Sequence, residues 1–304
     1  MSFTRRRESV WRLRTRSLAL GARTLVMGVL NVTPDSFSDG GLYHDAGDAV
    51  EHGLRMLDEG ADVLDIGGES TRPGQQESVS AATEQGRVIP VIAAILKARQ
   101  DAVISIDTYK ASTARVAVEA GAEIVNDVSG FLWDGAMAAT CADLGCGVVL
   151  MHTRGRPDEW KSQPRLADED VLPLVKHELA ERLRAALDAG VEREQIVLDP
   201  GYGFGKRFDE NYALLARQAE LLELGQPLMA GVSRKSFLAR TLRPLYGGAD
   251  APMQDRLYST LAATVAVILA GANIVRVHDV RPAVDAARIA DALLAAIPPG
   301  LEGS

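Results

Sequence analysis

Two cysteines among 304 residues, Cys141 and Cys146, are too few for a disulfide framework or a metal site of their own. A reducing, cytoplasmic setting is the simple expectation. Aromatic residues make up 5% of the chain, so its core must be mainly aliphatic. There is no basic excess: 33 Lys and Arg stand against 41 Asp and Glu, a net charge of −8. That argues against nucleic acid as a partner, whose footprint is a basic patch. It leaves room for a local cation cluster facing an anionic small molecule. The strongly apolar segment 257–270 is too short to span a bilayer, so no membrane partner is expected. The Arg-rich start (Arg5, Arg6, Arg7, Arg12, Arg14, Arg16) is not followed by an apolar h-region with a cleavage site, and a secretory signal is not expected.

What is present is a repeated pattern. Eight short apolar runs each end in polar or charged residues. They are 25–30 into Asn31, 61–66 into Glu69, 103–106 into Asp107 and 123–125 into Asn126. The others are 147–151 into His152, 196–198 into Asp199, 228–232 into Ser233 and Lys235, and 274–277 into His278. Between them lie segments of helical period at 46–59, 82–98, 108–120, 135–144, 168–189, 210–224, 255–270 and 282–295. Several stop at glycine (Gly60, Gly121, Gly145, Gly190, Gly225, Gly271), as helix ends do. Hydrophobic residues at 47% suffice for one large core. Eight strand–helix units predict an α/β fold, a parallel (β/α)8 or TIM barrel. Residues 1–23 read as an N-terminal strand or hairpin extension that could plug the barrel bottom. Residues 24–297 read as the barrel and 298–304 as a flexible tail.

In such a barrel, strands that finish at one rim gather their polar ends into one site. Alternation puts Ser105 and Asp107 on one face, and Arg276 with His278 on another shared face. Asn31 and Asp35 follow the first strand and could hold a metal or phosphate. Thr71 and Arg72 follow the second and could donate to an anion. Asp107 and Asn126 could equally cap the next helix. The stretch Asp199 to Lys206 is rich in glycine but lacks P-loop spacing. Lys235 could be a Schiff-base nucleophile or a point-charge contact. Carboxylates and an amide suit a buried planar group with several N–H donors; Arg, His and Thr suit a polyanion. A heterocycle carrying a phosphate ester would need both.

The stretches MGVLNVTPDSFSDGG, DIGGESTRPG, SIDTYK, NDVSG, LMH, LDPGYGFGK, GVSRKSFL and RVHDV stand in that order along the chain. In them the chain resembles the dihydropteroate synthase family over roughly residues 24–295. The resemblance implies condensation of 6-hydroxymethyl-7,8-dihydropterin pyrophosphate with p-aminobenzoate, giving 7,8-dihydropteroate and pyrophosphate, with Mg2+ assisting. It implies a pterin socket of Asp107, Asn126, Val128, Met151, Asp199, Phe204, Gly231, Lys235 and Arg276. Pyrophosphate would meet Asn31, Arg276 and His278. The aryl amine would meet Phe37, Thr71, Arg72, Pro73, Phe204, Lys235 and Ser236. Metal would meet Asn31 and Asp35, and Asp107, Lys235, Arg276 and His278 would act in the chemistry. A homodimer is expected on the same ground. A pterin-dependent methyltransferase barrel is a rival that would need no pyrophosphate clamp. A non-catalytic pterin-binding relative is another, and would lack the loop residues present here.

Overall fold

The computed structural model describes residues 6–33, 42–69 and 79–297. Its first strands, β1 (Ser9–Arg12) and β2 (Ser17–Leu20), form an antiparallel hairpin. Eight parallel strands follow: β3 (Leu25–Asn31), β4 (Val63–Gly67), β5 (Ile104–Asp107), β6 (Ile124–Asp127), β7 (Gly147–Met151), β8 (Ile196–Asp199), β9 (Met229–Ala230) and β10 (Ile274–Val277). Their spatial order is β8-β7-β6-β5-β4-β3-β10-β9. A single parallel bridge, Leu198 to Leu228, joins the two ends into a nearly closed barrel. The surrounding helices are α1 (Leu42–Asp58), α2 (Ala81–Ala98), α3 (Ala111–Glu119), α4 (Met137–Leu144), α5 (Asp168–Asp188), α6 (Phe208–Ala216), α7 (Ser236–Thr241), α8 (Leu257–Leu269) and α9 (Val280–Ala295). Among the described residues, no helix is long and apolar enough to cross a membrane.

These strands read as continuous apolar runs because both of their faces are covered. Side chains such as Leu64, Ile104, Val125, Leu150, Leu198 and Val275 point outward into the core shared with the helices. Their neighbours in sequence point inward. Low in the barrel the inward set is Leu25, Met27, Val63, Val103, Ile124, Val149, Val197, Met229 and Ile274. Trp11, Leu13 and Leu20 of the hairpin region close this layer from below. Trp11 is fully buried and its indole N–H donates to the Gln195 carbonyl at 2.8 Å, so the largest side chain of the plug has its polar edge satisfied. Higher up, the same inward columns turn polar.

Three elements differ from the pattern in the sequence. The helix expected at 210–224 breaks after Ala216 into a 3-10 stretch, Gln218–Leu224. There Gln218 is buried, donates to the carbonyls of Val267 and Ala270 at the end of α8, and accepts from the Tyr202 hydroxyl at 2.8 Å. That inward anchor outweighs helical continuity. The helix expected from residue 108 begins at Ala111, because Thr108 Oγ1 and Asp134 Oδ2 take the amides of Lys110 and Ala111. The strand expected over 228–232 is shortened to Met229–Ala230 with one bridge at Leu228, and it is followed by α7, which the helical period of the sequence did not mark.

Candidate active site

The upper, polar half of the barrel interior opens into a cavity of about 770 Å3. It has the size of a small-molecule site. Asn31, Asp107, Asn126, Val128, Met151, Asp199, Phe204, Gly231, Lys235, Ser236, Arg276 and His278 all line it. Every expected site residue that the structure describes is therefore brought to one place. Asp35, Phe37, Thr71, Arg72 and Pro73 lie outside the described residues.

Strand order divides the rim. Asn31 ends β3, Arg276 lies in the adjoining β10, and His278 directly follows that strand. Asp107 ends β5, Asn126 is the penultimate residue of the neighbouring β6, and Asp199 ends β8 farther round the barrel. Arg276 spans the interior. Its Nε donates to Asp65 Oδ2 and its Nη2 to Asp107 Oδ2, both at 2.6 Å. Asn126 Nδ2 donates to the same Asp65 oxygen at 2.9 Å. This spends one amide N–H on Asp65, fixes which way the amide faces and leaves its carbonyl oxygen as an acceptor. Two carboxylates share one guanidinium, so the trio carries a formal charge of −1. Burial pushes the Asp107 carboxyl up to about 7 despite the pull of Arg276. The pair of acids in turn holds the Arg276 guanidinium above its ordinary value, against the effect of burial.

Asp199 is buried and its Oδ1 accepts from the Gly201 amide at 2.7 Å. Burial raises its pKa, and that hydrogen bond resists the rise. Gly201 is at φ +66, and a Cβ there would stand 1.9 Å from the His152 carbonyl oxygen; glycine alone fits this turn. Gly231 keeps the space between Arg276 and Asp199 flat, since a Cβ there would lie 3.8 Å from Arg276 Cβ and 4.0 Å from Asp199 Oδ2. Lys235 Nζ sits 4.0 Å from the centre of the Phe204 ring. Burial, reinforced by Arg276, draws its pKa down to about 8. Just past β10, His278 Nδ1 is 3.0 Å from Ser233 Oγ, and the His278 amide donates to that oxygen at 3.2 Å.

Other polar strand ends have structural work. Asp127 accepts the amides of Ser129 and Phe131 at 2.7 and 3.0 Å, fixing the turn after β6. His152 is fully buried just past β7, with its ring toward Glu178 of α5, and burial holds its pKa well below the usual value. Glu69 reaches the cavity but is engaged by Lys110 and by the Tyr109 hydroxyl. Sequence reasoning missed Asp65 and Trp160, and it marked Ser233 only as a polar strand end. Asp65 had a signal: it shares a face with Val63 and Gly67, so it points into the barrel one layer below the rim. Trp160 lines the cavity edge-on to Phe204, with ring centres 5.1 Å apart. It lies in an irregular segment, where periodicity could not find it.

Residues 27–278 match the model of the pterin binding enzyme family. The dihydropteroate synthase of Escherichia coli strain K12 is 43% identical over 271 residues, covering 89% of this chain and 92% of the relative. The structure of Xanthomonas albilineans dihydropteroate synthase with 4-aminobenzoic acid aligns at a TM-score of 0.84 and 42% identity, covering 95% of this chain and 100% of that one. The same enzyme in complex with 7,8-dihydropteroate aligns at 0.80 and 40% identity, covering 93% and 98%. A match of this extent in both sequence and structure is not confined to the scaffold, and the chain belongs to the pterin-binding enzymes, among the dihydropteroate synthases, transferases of folate biosynthesis.

Proposed function

We propose that the cavity condenses 6-hydroxymethyl-7,8-dihydropterin pyrophosphate with p-aminobenzoate to give 7,8-dihydropteroate and pyrophosphate. The observation that carries this reading is one cavity with buried acceptors across the barrel from an Arg–His–Asn edge. Asp107, Asp199 and the carbonyl of Asn126 receive the N–H donors of the pterin, and Lys235 meets its carbonyl and ring nitrogen. Val128, Met151 and Gly231 give the ring its apolar, flat surroundings, and the Arg276 guanidinium stacks on it. Asn31, Arg276 and His278 hold the pyrophosphate, concentrating positive charge where the leaving group gains negative charge. The C–O bond at the pterin methylene breaks first, and the resulting cation delocalises into the ring beside Asp107. The neutral amine of p-aminobenzoate then attacks that carbon and releases a proton. Phe204, Lys235 and Ser236 seat this second substrate, with Phe37, Thr71, Arg72 and Pro73 from the adjoining loops. A Schiff base at Lys235 has no carbonyl substrate to form on.

Asn31 offers a hard amide oxygen suited to Mg2+. Among the described residues no group of three His, Cys, Asp or Glu could hold a metal. That donor set fits an ion carried mainly by phosphate oxygens and water, with Asp35 as the further protein ligand. When bound, Mg2+ supplies neutralisation of the pyrophosphate charge. The test is pyrophosphate release by the purified chain. Release should need the pterin pyrophosphate, p-aminobenzoate and Mg2+ together; none with all three present would favour a non-catalytic pterin binder. The working form is a cytoplasmic homodimer. Tyr258 of α8 is 84% exposed, and Ile289 and Leu293 of α9, which packs against α8, are also exposed, apolar groups that a second copy would cover. Light scattering that returned a monomer mass would remove it.

A further inference from the structure

Lys206 closes the loop that follows Asp199, yet it takes no part in the chemistry above. Its side chain is buried and is not among the groups lining the cavity. Its Nζ donates to three backbone carbonyls: Gly201 at 2.7 Å, His152 at 3.3 Å and Phe204 at 3.4 Å. Burial draws its pKa well below the usual lysine value, and nearby Arg182 adds to the effect. A buried ammonium held by carbonyls rather than by a carboxylate is costly, so its position needs a reason.

The reason lies in what the three carbonyls belong to. Gly201, Gly203 and Gly205 are at φ +66, +84 and +69, and the loop curls around the ammonium. The Gly201 amide fixes Asp199 Oδ1 at 2.7 Å, and the His152 amide donates to the Asp199 carbonyl at 2.8 Å. The Phe204 ring bears Lys235 on its face and Trp160 at its edge. One ammonium thus ties together the backbone behind the pterin acceptor and the backbone behind the aryl-amine wall.

We propose that Lys206 is a positioning residue for the reaction: by clasping the carbonyls of His152, Gly201 and Phe204, it holds the loop in the shape that presents Asp199 and Phe204 to the cavity together. The identity of the two ligands rests on the reaction proposed above. The test is Lys206→Met, compared with the unaltered chain in calorimetric titration with pterin pyrophosphate, in KM for each substrate and in thermal melting. Pterin pyrophosphate affinity should fall about tenfold and KM for p-aminobenzoate should rise about fivefold, as expected when an anchoring charged hydrogen-bond donor is lost. Both constants within twofold of the unaltered chain, even with a lower melting temperature, would mean a purely structural lysine and overturn the proposal. Should the Met variant not fold, Lys206→Gln is the second variant: its amide has two N–H groups for three carbonyls on a side chain one bond shorter, so the same two losses are expected at smaller size, and both constants within twofold would again overturn the proposal. Titration reads the pterin side without turnover. Failure of the unaltered chain to release pyrophosphate would therefore count against the proposed reaction and not against Lys206.

Discussion

The lower and upper halves of the barrel interior are built from the same eight strands, yet they do opposite things. Below, the inward columns are aliphatic and are sealed by Trp11, Leu13 and Leu20. Above, they carry Asp65, Asp107, Asn126, Asp199 and Arg276 around open space. The lower half gains stability from removal of apolar area from water. The upper half gives up part of that gain to keep charged groups desolvated and fixed before a ligand arrives, which is the arrangement electrostatic catalysis requires. The contrast predicts that changes below act on stability alone and changes above act mainly on substrate.

The sharpest break of that division should be Arg276→Ala. It removes the proposed anion contact and leaves Asp65 and Asp107 buried without their shared cation. Loss of one partner from a buried ion pair costs about 3–5 kcal/mol. We expect pyrophosphate release to fall by about a hundredfold or more and the urea midpoint to drop as well. Near-normal turnover would sink the clamp. Trp11→Ala is the counterpart below. Truncation of a buried Trp costs about 3–5 kcal/mol, so the urea midpoint should fall while pterin affinity stays within twofold. A change in affinity of tenfold would show that the two halves are coupled.

Asp199→Asn tests the upper half more gently, since one acceptor becomes a misplaced donor. A hydrogen bond to a charged group is worth about 1.5–3 kcal/mol, so calorimetry should show pterin pyrophosphate bound about 10- to 100-fold more weakly, with the melting temperature little changed. Unchanged affinity would remove Asp199 from the socket. The pH dependence of kcat/KM sharpens the same point. On the proposed reading Asp107 works as a carboxylate, the stronger acceptor for an N–H and the charge beside the cation, so activity should fall as pH drops through about 7. On the same reading Lys235 meets the pterin carbonyl as an ammonium, so activity should also fall as pH rises through about 8. These limbs belong to interacting groups and report the site as a whole. Lys235→Arg, charged throughout, should lose the alkaline limb; a limb that stays would assign it elsewhere.

How much of this was legible in the chain follows from the geometry of parallel strands. Asp107, Asn126, Asp199 and His278 stand at the ends of apolar runs, where a change of character marks the rim. Asp65 lies inside such a run, a layer deeper, and its importance appears only when Arg276, 211 residues away, is seen to reach it. The break in the 210–224 helix was hidden for a similar reason: Gln218 answers to carbonyls of α8, about fifty positions on. Lys206 closes a glycine-rich stretch that lacks P-loop spacing, and no pattern in the sequence shows that its amine turns back onto its own backbone. Periodicity reports burial, whereas these residues are defined by partners distant in sequence.

Trp160 should give the smallest effect and the finest test of the division. It stands at the cavity mouth, far from the plug, and touches Phe204 edge-on while its indole N–H reaches Thr153 Oγ1 and the Gly155 carbonyl at 3.2 Å. An edge-to-face pair of this kind is worth about 0.5–1.5 kcal/mol beyond the area it buries. Trp160→Leu keeps an apolar group at the mouth but lets the Phe204 ring turn. On the proposed reading Phe204 seats the aryl amine, so KM for p-aminobenzoate should rise about two- to tenfold, with pterin affinity and melting temperature close to the original. An equal loss of pterin affinity would show that Phe204 serves both substrates through one orientation, and the upper half would then be a single coupled unit.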